Sequence, residues 1–129
     1  MNFDWREYLN LADELAGTTL PSPADQEAKL RAAISRAYYA SFCEARNHLR
    51  DVDGDTAIPS DGGAHLYVMR QFTRSTDRNR QKIGVNLRRL RNMRNEADYD
   101  DAVDHLGRKV NTCLRQAHQI FAILAGLTV

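Results

Sequence analysis

Leu30-Arg31-Ala32-Ala33-Ile34-Ser35-Arg36-Ala37-Tyr38-Tyr39-Ala40-Ser41-Phe42-Cys43-Glu44-Ala45-Arg46-Asn47-His48-Leu49 is the stretch that decides the fold. Apolar and small residues return every three or four positions along it: Leu30, Ala33, Ile34, Ala37, Tyr38, Ser41, Phe42, Ala45 and Leu49. That spacing is one face of an amphipathic helix, and it predicts a long helix over about 23–50. Ser22 can cap its start, Pro23 fits the first turn, and Asp25 suits the positive end of the dipole. The small side chains of Ala33, Ala37, Ala40, Ser41 and Ala45 let a neighbouring helix come close.

The same period runs outward in both directions. Upstream, Trp5, Leu9, Ala12, Leu15 and Ala16, with Tyr8 beside them, predict a helix over about 3–16, stopped by Gly17. Downstream, three more helices are expected. One covers about 64–75 with Leu66, Met69 and Phe72 inward and Tyr67 and Val68 beside them. The next covers about 78–97 with Ile83, Leu87, Leu90 and Ala97. The last covers about 101–126 with Val103, Leu106, Val110, Leu114, Ala117, Phe121 and Leu124. Asp100 or Asp101 is its expected cap, and Asp104 suits its first turn. No strand alternation and no repeat appears, so the fold class is all-α, an antiparallel four- to five-helix bundle in a single domain spanning 1–129.

Residues 51–63, Asp51-Val52-Asp53-Gly54-Asp55-Thr56-Ala57-Ile58-Pro59-Ser60-Asp61-Gly62-Gly63, form a loop by composition and read as a mobile acidic connector. Thr56 stands where a calcium loop wants Gly, and Gly62 where it wants Glu. Cys43 and Cys113 lie in separate helical patterns, in no CxxC pair, and read as reduced, partly buried thiols. The histidines His48, His65, His105 and His118 form no HxxxH or HExxH pair, so no metal and no cofactor is expected. No apolar run reaches the ~18–20 residues of a membrane span. The opening Met1-Asn2-Phe3-Asp4-Trp5-Arg6-Glu7 lacks the basic-then-apolar layout of a secretory leader, so the expected location is cytoplasmic.

Charge is less evenly spread. From Arg70 to Arg94 there are nine Lys and Arg residues against one acid, Asp77, a net +8 in a chain whose total is +1. Such a concentration attracts polyanions. It ends in Arg91-Asn92-Met93-Arg94-Asn95-Glu96-Ala97-Asp98-Tyr99-Asp100. At ~100° per residue, Arg94 falls on the stripe of Ile83, Leu87, Leu90 and Ala97. A guanidinium there must be paired. Asp98, four residues on, is spaced to pair with it. Two readings follow: Asp98 and a neighbouring helix satisfy Arg94, or the face lines a cleft or dimer seam that offers Arg94 to an anion such as phosphate.

At these residues the chain resembles the small HEPN-domain proteins, especially the branch found as the toxin-like partner of a minimal nucleotidyltransferase. Ala33-Ile34-Ser35-Arg36-Ala37-Tyr38-Tyr39-Ala40-Ser41-Phe42 is similar to that branch's S-R-A-Y-Y-A-x-F helix. Leu90 to Asp100 is similar to its R-x-x-A-D-Y-D ending, and the likeness covers about residues 5–125. It implies a helical bundle that homodimerises, a nucleotidyltransferase-type antitoxin as partner, and RNA as target. It also implies a metal-independent endoribonuclease site shared across the dimer, in which a base takes the ribose 2′-OH proton and cations stabilise the phosphorane. Arg94 matches the family's arginine and Asn95 its polar neighbour. The histidine that active members carry four to six residues on has no counterpart, since positions 99, 100 and 101 are Tyr, Asp and Asp.

The catalytic set implied is therefore Arg94, Asn95 and Asp98, with Asp98 orienting Arg94 or acting as a poor base beside two arginines. Arg91, Arg94 and Tyr39 are the expected contacts to RNA phosphate. Tyr99 is the candidate for attachment of AMP by the partner; otherwise it packs to close the turn between helices. Tyr38 is expected in the core. Besides the toxin-type ribonuclease, two readings stay open: a non-catalytic module that binds nucleotide, RNA or its nucleotidyltransferase partner, and a purely structural dimerisation subunit.

Overall fold

The computed structural model describes residues 3–17 and 25–127. Five helices follow in order: α1 (Arg6–Gly17), α2 (Gln26–Asp51), α3 (Ala64–Thr73), α4 (Arg78–Tyr99) and α5 (Leu106–Gly126). Among the described residues there is no strand, and no helix is long and apolar enough to cross a membrane.

Side-chain pairs give the directions. Tyr39 meets Arg94 and Ser35 meets Asp98, so α2 and α4 run antiparallel. Asn86 meets Gln119 and Glu96 meets Lys109, so α4 and α5 also run antiparallel. His118 pairs with Asp13 and Arg6 lies over Phe121, which sets α1 antiparallel to α5. Four long helices thus make an up-and-down bundle, and α3 is a short fifth against α4. The expected all-α bundle is what the chain forms.

α2 is the central element because its stripe is wide. Ala33, Ile34, Ala37, Tyr38, Ala40, Ser41, Phe42, Cys43, Ala45 and Leu49 are all buried. They meet Leu9 and Ala12 of α1, Ile83, Leu87 and Leu90 of α4, and Val110, Cys113, Ala117, Ile120 and Phe121 of α5 in one core. Each fully buried large aliphatic or aromatic side chain contributes about 1.5–3 kcal/mol. Both cysteines are free and buried, and burial pushes the Cys113 thiol up to about 12.

Several boundaries differ from expectation. α2 begins at Gln26, capped by Asp25, whose carboxylate accepts from the Ala28 amide at 2.7 Å. Ser22 and Pro23, the expected start, lie outside the described residues. α3 turns Ala64, Val68 and Phe72 inward, and Leu66 outward. The cause is Gly84 of α4. A Cβ there would stand 2.6 Å from the Thr73 amide nitrogen and 3.0 Å from the Met69 carbonyl oxygen. The two helices touch backbone to backbone at that glycine, which fixes how α3 is rotated.

α5 begins at Leu106, not near 101. Its N-cap is His105 in the left-handed region (φ 55°), without a side-chain cap bond. Neither Asp100 nor Asp101 caps it. Arg31 of α2 is the reason: one guanidinium nitrogen donates to the carbonyls of Ala97 (2.9 Å) and Asp100 (2.6 Å), and another to that of Asp101 (3.0 Å). Three carbonyls held this way keep the backbone after α4 extended, with Asp100 at ψ 135°.

The acidic loop is also pinned rather than loose. Asp53 receives a bidentate pair from Arg80 at 2.7 and 2.8 Å, and Asp55 accepts the Tyr67 hydroxyl at 2.7 Å.

Candidate functional site

Arg94 sits on the inner side of α4, and its side chain is 16% exposed. Nε donates to Asp98 Oδ2 at 2.8 Å, Nη1 to Asn95 Oδ1 at 3.2 Å, and Nη2 to the Tyr39 hydroxyl at 2.6 Å. The guanidinium also lies over the rings of Tyr39 (5.0 Å) and Tyr99 (5.5 Å). Helical spacing explains the set. Asp98 is one turn beyond Arg94, and Tyr39 comes from the antiparallel α2. Ser35, one turn before Tyr39, reaches Asp98 Oδ2 at 3.4 Å. Arg94, Asn95, Asp98, Tyr39 and Tyr99 are thus brought together.

A guanidinium has five N–H donors in a planar fork. Three are bound within the cluster, and two remain for an anion. Asp98 stays open to solvent, and its carboxylate is engaged by Arg94. Tyr99 is 72% exposed, so it does not pack to close the turn.

His65 also stands here, and no sequence motif points to it. It opens α3 and stacks on Phe42 (ring centroids 4.1 Å, 15° apart), with the Tyr39 ring edge-on at 6.2 Å. Its Nδ1 is bonded to the hydroxyl of the buried Tyr38. Burial, then the charges of Arg91 and Arg94, push the His65 pKa below the ordinary histidine range. Burial raises the Tyr38 phenol, so that phenol stays protonated. The imidazole is therefore neutral, and its Nδ1 is taken up by the hydrogen bond to Tyr38. It also borders a cleft of about 640 Å³ between α2 and the acidic loop, together with Phe42, Arg46 and Arg50.

The basic segment does not converge on Arg94. Arg80 anchors Asp53 and lies over Phe72. Arg91 is half-buried on the Tyr38 side. Arg78, Lys82 and Arg89 are exposed, and by helical geometry they lie roughly 120–160° around α4 from Arg94.

No family model matches the chain, and neither a curated protein nor a solved structure matches it.

Proposed function

We propose that this chain is a HEPN-like, toxin-type protein whose Arg94 cluster receives an RNA phosphate. It acts as a homodimer in the cytoplasm, beside a nucleotidyltransferase-type antitoxin. One observation carries the reading: Arg94 is held by Tyr39, Asp98 and Asn95 with two donors left over. A guanidinium fixed in this way loses little freedom on meeting a phosphate. Arg91 adds charge from the preceding turn. Tyr39 backs Arg94, and exposed Tyr99 is the side chain open to AMP attachment.

Binding is better supported than cleavage, because the two nearest groups able to take a proton are both engaged, Asp98 by Arg94 and His65 by Tyr38. Metal-independent ribonuclease action is the second reading. It is favoured by the grouping of Arg94, Asn95 and Asp98 at one solvent-facing edge, which a second copy can complete.

Asp98→Asn separates the two. As a binding module, the variant loses one negative charge beside the phosphate and holds RNA more tightly. As a ribonuclease with Asp98 as base, it stops cutting in chelator-containing buffer while the wild type cuts. In either case Arg94→Gln weakens RNA binding by roughly tenfold or more, since a charge-assisted hydrogen bond is worth about 1.5–3 kcal/mol. Equal RNA affinity for wild type and Arg94→Gln, both folded by circular dichroism, would remove the proposal.

A further inference from the structure

The geometry points to a second anion surface, on the face of the bundle turned away from Arg94: a lane along the α4–α5 groove that holds the phosphate backbone of single-stranded RNA. Arg78, Lys82 and Arg89 project from one side of α4 within about 40° of each other. All three are exposed, and together they border a cleft of about 420 Å³. Asn86 and Gln119 form its floor, joined by an amide-to-amide hydrogen bond of 2.8 Å across the two helices. No carboxylate among the described residues lines this cleft. Arg115, also exposed, stands one turn before Gln119 on α5 and extends the positive charge.

The contrast with the other cations decides the matter. Arg80 and Arg94 each have a carboxylate partner within 2.8 Å, so much of their charge is answered inside the chain. Among the described residues, none that lines the lane's cleft is a carboxylate. Between Arg78 and Arg89 the helix rises about 16 Å, a row of positive charge along one line. Such a row suits a chain of evenly spaced phosphates better than a single small anion. The amides of Asn86 and Gln119 supply donors and acceptors to ribose hydroxyls without choosing a sequence. The lane positions a strand, whereas Arg94 engages one phosphate on another face.

This inference rests on the RNA reading for the identity of the polyanion. It is tested by measuring the affinity of the full chain for a fluorescent oligouridylate at several salt concentrations. The wild type is expected to weaken steeply with salt. Changing Arg78→Gln, Lys82→Gln and Arg89→Gln together should flatten log K against log salt by about 2, near 0.7 for each phosphate no longer neutralised. Arg78→Lys with Arg89→Lys should retain the wild-type slope. An unchanged slope in the triple variant overturns the lane and leaves the Arg94 reading standing. No binding by the wild type overturns both. An unchanged RNA slope with loss of low-salt self-association, seen by light scattering, also overturns it and assigns the face to acidic surface on another copy.

Discussion

Arg94 shows how one residue can be held by three neighbours and still keep donors to spare. It sits within an apolar stripe, and its pairing with Asp98 was legible from the i, i+4 spacing alone. The Tyr39 hydroxyl was legible only in part, because it comes from α2, 55 positions away. His65 was not legible at all, since its place follows from how α3 docks. At this scale Tyr99 offers the sharpest test. Its ring is 72% exposed at the last residue of α4. Incubation with ATP and a cognate minimal nucleotidyltransferase should add the mass of AMP to this residue, and Tyr99→Phe should abolish the gain. Modification that persists in Tyr99→Phe would move the target elsewhere.

Among the elements, the helices themselves were readable because their apolar period is strong. Their ends and rotations were not. The start of α5 depends on Arg31, some 70 positions away from the carbonyls it holds. No local capping pattern around Asp100 could reveal that. Arg31→Ala should cost about 2–3 kcal/mol, the scale of charge-assisted hydrogen bonds removed from a folded protein. Faster amide exchange should follow around 100–105, with little change in α1. Arg31→Lys should recover only part, as one ammonium cannot reproduce the planar fork. Gly84 is a second case. A lone glycine inside a helical pattern can be neutral or a packing requirement, and here a Cβ meets the Thr73 backbone. Gly84→Ala should lower stability by about 1–3 kcal/mol despite its better helix propensity. A more stable Gly84→Ala protein in urea titration would contradict the close approach of α3 and α4.

For the whole molecule, the net charge of the basic segment was plain in the sequence, but its meaning was not. A linear count cannot show that one helix sends its cations to three destinations. Acid sensitivity is also a property of the whole fold. His48 and His65 are each held below the ordinary histidine range, chiefly by burial. Asp53 opposes the shift at His48, while Arg80 there and Arg91 and Arg94 at His65 add to it. The unfolded chain therefore takes up protons that the folded chain refuses as pH falls through about 6.5. Stability is fully present above that pH and declines below it. The urea midpoint should drop between pH 7.5 and 5.5, and less so in His65→Gln. A midpoint that holds or rises on acidification would contradict the neutral rings.

The central claim is that Arg94 meets an RNA phosphate, and the arginine side-chain Nε–Hε resonances report on it directly. With a short oligouridylate titrated into isotopically labelled protein, the Arg94 resonance should shift and saturate, and the shift should vanish when uridine nucleoside replaces the phosphate-bearing strand. An Arg94 resonance that stays in place while RNA binds elsewhere on the protein would contradict the account.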